Sequence, residues 1–60
     1  MRLRHRIEVY LRRTRTSPTR LGRLALGDKA FVFRLRNGSE PRDKTIARVT
    51  AWLDKAESEA

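Results

Sequence analysis

The feature that most constrains this chain is the close spacing of helix-starting and helix-ending residues in its middle third. Ser17 followed by Pro18 is typical of a helix start, because serine caps free N–H groups and proline has no N–H to lose. Gly27 ends that segment, since glycine readily adopts the left-handed conformation that follows a helix. Asp28 is a suitable N-cap for a second helix, and Gly38 closes it. The pattern predicts two short helices separated by a sharp turn.

Apolar residues recur at steps of three and four, which is the spacing of a helix face. The predicted helices span residues of about 3–14, 18–26, 29–37 and 43–57. The apolar stripes of the first and last helices consist of Leu3, Ile7, Tyr10 and Leu11, and of Ile46, Val49, Leu53 and Ala56. Glu8 lies four residues from both Arg4 and Arg12, so we expect it to pair with them. We predict a small all-α fold of three to four helices.

Two helices that cross at close range need a small residue at the crossing, and Gly22 supplies it. In the second helix, Val32 and Leu35 would face inward. The chain here resembles the Cro/repressor-type (Xre-like) helix-turn-helix family over roughly residues 17–54. The buried positions of that motif are occupied by Leu21, Gly22, Ala25, Val32 and Leu35. Leu26 stands where the family has its turn glycine. The alternative is an unrelated packing of small helices with the same helix-starting and helix-ending residues.

The resemblance implies a DNA-binding domain that binds double-stranded DNA as a homodimer at a two-fold symmetric operator. The second helix would then enter the major groove and present its outward residues to base edges. Those residues are Lys29, Phe33, Arg34 and Asn37. Arginine bonds guanine and asparagine bonds adenine, while an aromatic ring can meet a thymine methyl group. For Phe33 a place on the flank of the core is an equal alternative, and for Asn37 a helix C-cap.

Arginine and hydroxyl side chains cluster around the connection between the first two predicted helices. A guanidinium group can donate two parallel hydrogen bonds to the oxygens of one phosphate, and a helix N-terminus favours anions. The predicted phosphate-binding residues are Arg12, Arg13, Arg15, Ser17, Thr19 and Arg20. A solvated basic connection that binds no anion is the alternative.

The positive charge of the chain is one-sided. Net charge is +8, and residues 1–39 carry eleven Lys or Arg against two acids, whereas residues 40–60 carry four against five. Such a field suits a polyanionic partner. The alternative is that the arginines only keep a small protein soluble. The chain has no cysteine and no apolar run long enough for a membrane span or a signal peptide. We expect a cytoplasmic, nucleoid-associated protein with no membrane partner.

The leading hypothesis is therefore a small helix-turn-helix regulator of transcription, of a phage, prophage or bacterial repressor-like type. An RNA-binding or ribosome-associated basic module is the first alternative, and a protein-binding or membrane-binding amphipathic helix is the second. We expect no enzyme activity, small-molecule substrate, cofactor or metal. His5 is the only histidine, so neither a metal site nor a general base is indicated.

Overall fold

The computed structural model describes residues 2–59, which form four α-helices and no strand. The helices are α1 Leu3–Thr14, α2 Pro18–Leu26, α3 Phe31–Arg36 and α4 Asp43–Ser58. The all-α prediction is confirmed, and α1 and α2 have their predicted bounds. Ser17 caps α2 by accepting the N–H of Arg20 at 3.1 Å, and Gly27 ends it in the left-handed conformation at φ 69°. α4 runs one residue beyond its predicted end.

The prediction for α3 was wrong at both ends. The helix begins at Phe31 instead of residue 29, because Asp28 closes a turn of its own before it. Its Oδ1 accepts the N–H of Ala30 at 3.0 Å, and its carbonyl oxygen accepts the N–H of Phe31 at 3.3 Å. At the other end Asn37 is the C-cap residue and Gly38 adopts φ 94°. Residues 29, 30 and 37 therefore flank a helix of six residues.

Nine apolar side chains from all four helices form the core. They are Ile7, Leu11, Leu21, Ala25, Phe31, Val32, Leu35, Val49 and Leu53. Gly22 is buried with them, so every position predicted to be buried between α2 and α3 is buried. Tyr10 and Trp52 pack edge-on against this core with ring centroids 5.5 Å apart, which joins α1 to α4.

Ile46 is a correction to the predicted core, because its side chain is 37% exposed. α4 is 16 residues long, or about 24 Å, and its first turn extends beyond the edge of the core. Ile46 there lines a shallow groove together with Leu3, Leu35 and Pro41. Ala56, further along the same stripe, is half-buried.

Ion pairs join helices that are distant in sequence. Arg6 of α1 pairs with both Asp54 and Glu57 of α4. Arg36 of α3 donates from Nε and Nη2 to the two carboxylate oxygens of Glu8, at 2.7 and 2.9 Å. Arg36, which was not predicted as a partner of Glu8, engages both of its oxygens, while the predicted partners Arg4 and Arg12 act on it through their charge.

The Arg36 hydrogen bonds lower the pKa of the Glu8 carboxyl below its ordinary value. Arg12 and Arg4 add to this lowering of the Glu8 pKa only through their charge. The pair thus fastens α3 to α1 through a carboxylate that is ionised in the folded state.

Candidate nucleic-acid interface

The outer surface of α3 and its flanks carries all four side chains predicted to read bases. Lys29, Phe33, Arg34 and Asn37 are exposed, while the other side of the helix is buried. Phe33 is 45% exposed and does not belong to the core. The guanidinium of Arg36 lies over its ring, 5.8 Å from the centroid.

Asn37 occupies the C-cap position that was its alternative assignment. Its backbone N–H donates to the carbonyl oxygen of Phe33 at 3.1 Å, and its side chain is exposed. Capping here is a property of the backbone, so the exposed side chain has the freedom to meet a ligand. A role for Asn37 in binding bases stays a prediction.

The Arg34 side chain is exposed but forms a salt bridge with Asp28. Its Nη2 donates to Oδ2 of Asp28, and its Nη1 lies 3.5 Å from Oδ1. The Arg34 guanidinium, followed by the N–H of Ala30, lowers the pKa of the Asp28 carboxyl. The Arg34 side chain remains 54% exposed and that of Asp28 35%.

Sequence reasoning missed this second role of Asp28, and it also missed Arg36. Asp28 was identified only as a cap, because a spacing of six residues across a turn is not a helical pair. For Arg36 a signal was present, since it lies three residues after Phe33 and so on the same side of α3. Both residues belong to the surface that α3 presents.

The connection between α1 and α2 holds the predicted phosphate-binding residues in two groups. Arg15, Ser17 and Arg20 line one open hollow of about 500 Å³, whose other walls include Tyr10 and Trp52. The remaining three lie outside the hollow: Arg12 and Arg13 in the exposed last turn of α1, and Thr19, which is half-buried, in the first turn of α2.

Arg15 has an unusual backbone. It ends α1 at φ 57° and ψ 33°, and it is the only non-glycine residue with positive φ among residues 2–59. A left-handed conformation costs a residue with a Cβ about 1–2 kcal/mol. Glycine would avoid this cost, so the arginine at this position lowers the stability of the fold.

The carboxylates of the described residues neutralise arginines away from this connection. The salt bridges within residues 2–59 take up Arg6, Arg34 and Arg36. None of them includes an arginine of the connection: Arg12, Arg13, Arg15 or Arg20. These four cations are exposed, so this end of the molecule keeps its positive charge uncompensated by direct pairing.

Within residues 2–59, no three His, Cys, Asp or Glu side chains are grouped so that they could hold a metal ion. Of the helices in the same range, none combines the length and the apolar character needed to cross a bilayer. No family model, curated protein or solved structure matches the chain. The assignment of function therefore depends on the geometry above and on the motif positions.

Proposed function

We propose that this protein binds double-stranded DNA through a helix-turn-helix made of α2 and α3, as in the Cro/repressor-type family that it resembles. α3 would lie in the major groove, which is wide enough to admit a helix. Arg34 would bond guanine, Asn37 adenine, and Phe33 a thymine methyl group, with Lys29 in the turn before the helix. The proposed role is regulation of transcription in the cytoplasm, at the nucleoid.

The observation that carries the proposal is the backbone contact between α2 and the turn before α3. Gly22 is buried there, and any Cβ on it would collide with the carbonyl oxygen of Asp28. The N–H of Asp28 also donates to the carbonyl oxygen of Gly22 at 3.1 Å. Two helices held this closely form one rigid unit, which is what a reading helix needs if it is to be presented in a fixed register.

The arginines of the connection support the proposal by their distance from α3. α2 has nine residues and is about 13 Å long, so it separates the connection from the turn at Asp28 by that distance. The major groove of B-DNA is about 12 Å wide. Arg15, just before α2, would then meet phosphates that border the groove, with Arg20 in the first turn of α2 beside it.

The packing of the aromatic side chains argues against the RNA alternative. Single-stranded RNA is gripped by exposed aromatic rings on which bases stack. Here Phe31 is buried, Tyr10 and Trp52 pack against each other, and Arg36 lies over Phe33. No row of free rings is left among these four aromatic residues.

Binding as a homodimer is part of the proposal and comes from the family resemblance. The resemblance implies that two copies occupy a two-fold symmetric site whose halves are one helical turn apart. Sedimentation of the protein with and without duplex DNA would measure the stoichiometry.

The direct test is fluorescence anisotropy with a random 30-base-pair duplex, a single-stranded RNA and a double-stranded RNA, each over a series of salt concentrations. We expect the DNA duplex to bind more tightly than either RNA, with log Kd rising linearly with log salt. Selection from a random duplex pool should then enrich one sequence. Tighter binding to RNA, or no enrichment from the pool, would contradict the proposal.

A further inference from the structure

We infer that Asp28 sets the sequence specificity of this surface, because its carboxylate holds Arg34 for base contact and withholds it from phosphates. This inference rests on the proposed function. Asp28 is not itself a reading residue here. It acts through Arg34, as a positioning residue at the turn.

Asp28 is fixed by the protein before any ligand arrives. Its backbone N–H and carbonyl are held by Gly22 and by Phe31. Its Oδ1 is held by the N–H of Ala30, 3.0 Å away. A carboxylate fixed at these points gives Arg34 a defined place to bind, and the pair restricts the rotamers of that long side chain before DNA binds. Ordering that is already present in the free protein no longer opposes binding.

The pairing leaves one edge of the guanidinium open. Asp28 engages Nη1 and Nη2, the two ends of the fork. Arginine has five N–H donors in a fixed plane, so Nε–H and the neighbouring N–H of Nη2 point along a second edge. That edge has the two parallel donors that the O6 and N7 acceptors of guanine require.

The negative charge of Asp28 also disfavours contacts between Arg34 and the phosphate backbone of DNA. Arg12, Arg13, Arg15 and Arg20 form no salt bridge within residues 2–59, so no bonded carboxylate has to be displaced when they meet phosphates. Arg34 carries its counter-charge with it, so a phosphate at the open edge would also meet the negative charge of the Asp28 carboxylate. Asp28 therefore lowers the affinity for DNA of any sequence while preserving the contact that depends on sequence.

The test compares the selected duplex with a scrambled one for the wild type, Asp28→Asn, Arg34→Ala and the double variant, over a series of salt concentrations. Asparagine retains an oxygen for the N–H of Ala30 and removes only the charge. Asp28→Ser is a second variant that retains a capping oxygen, for use if Asp28→Asn melts at a lower temperature. Glu59→Gln removes one negative charge at the far end of α4 and serves as the control.

For Asp28→Asn we expect tighter binding to the scrambled duplex and a salt slope steeper by about 0.9, which is one added phosphate contact. The ratio of the affinity for the selected duplex to that for the scrambled duplex should fall by about 5-fold or more. That factor corresponds to the low end of the free energy of a bidentate base contact. Neither change should occur when Arg34 is already alanine, and Glu59→Gln should leave the salt slope and the ratio unchanged.

The outcomes separate the inference from the proposed function. If the wild type shows no preference for any duplex, the proposed function is wrong and the inference falls with it. If Arg34→Ala removes the preference but Asp28→Asn and Asp28→Ser keep both the ratio and the slope, DNA reading stands and the inference is wrong. Asp28 would then be a turn cap only.

Discussion

The α-carbon of Gly22 lies directly against the backbone carbonyl of Asp28, with no side chain between α2 and the turn that leads into α3. The carboxylate of the same Asp28 accepts the N–H of Ala30 and pairs with Arg34. A glycine in the core and an arginine on the surface thus both contact this one residue. Stability and the proposed recognition of DNA depend on the same residue.

Gly22→Ala should destabilise the fold although it adds only one methyl group. The new Cβ would meet backbone, which cannot turn aside as a side chain can, and such overpacking costs about 1–3 kcal/mol. For a domain of this size each kcal/mol lowers the melting temperature by about 4–8 °C. Gly27→Asn is the matched control, because nothing lies within 4 Å of Gly27 and asparagine tolerates its φ of 69°. Equal melting of the Gly22 variant and the wild type would contradict the close approach.

Arg15→Gly should stabilise the protein and weaken its binding to DNA. Glycine adopts the left-handed backbone without the cost of about 1–2 kcal/mol that a Cβ incurs, so the melting temperature should rise. The same change at Arg13, inside the last turn of α1, should lower it, since glycine costs about 1 kcal/mol in a helix. Both variants should flatten the salt dependence of duplex binding by about 0.9. A rise in stability with no loss of affinity would remove Arg15 from the interface.

Alanine at any single arginine of the connection should weaken binding to every duplex alike. A phosphate contact carries no sequence information, so the selected and the scrambled duplex should lose the same factor. Arg12 and Arg20 are the clearest tests, because both keep a helical backbone when they become alanine. Lys55→Ala, in the acidic last third of the chain, is the control and should have little effect on the salt slope. Unchanged slopes for all the arginine variants would place the interface elsewhere.

Glu8→Gln should remove one source of stability that depends on pH. Arg36 lowers the pKa of Glu8 in the folded state, so the folded protein binds fewer protons there than the unfolded chain. The stabilisation is complete above the ordinary carboxyl pKa of 4.5 and is lost as the pH falls through the lowered value. The variant should therefore melt below the wild type near neutral pH, and the two melting curves should converge in acid. A difference in melting temperature that does not change with pH would show that the ion pair is not its cause.

Features set by neighbouring residues could be predicted from the sequence, and those set by distant residues could not. The caps at Ser17 and Gly27 are local, which is why the bounds of α2 follow from them. The predicted start of α3 was wrong because the Phe31 N–H bonds to the carbonyl of Asp28, three residues back, which closes a turn in place of the first turn of the helix. The pairs of Glu8 with Arg36 and of Arg6 with Asp54 join residues 28 and 48 positions apart, and no spacing rule reaches that far.

The candidate site also has features that could be predicted from the sequence and features that could not. That Phe33 and Arg34 face outward follows from the inward positions of Val32 and Leu35, because the two faces of one helix determine each other. What holds Arg34 in place did not follow, since it needs the turn geometry that only the folded chain provides. The strain at Arg15 is likewise invisible in the sequence, where it is one more arginine in a basic stretch.

The central claim is that α3 reads base edges, and the measurement that tests it most directly is the affinity of Arg34→Ala for the selected and the scrambled duplex. A lost bidentate guanine contact should weaken binding to the selected duplex by about 5- to 150-fold and hardly change binding to the scrambled one. Thermal melting of the variant checks that it remains folded. Equal losses on both duplexes would mean that Arg34 contacts only the backbone, and no loss on either would contradict the assignment of α3 as the reading helix.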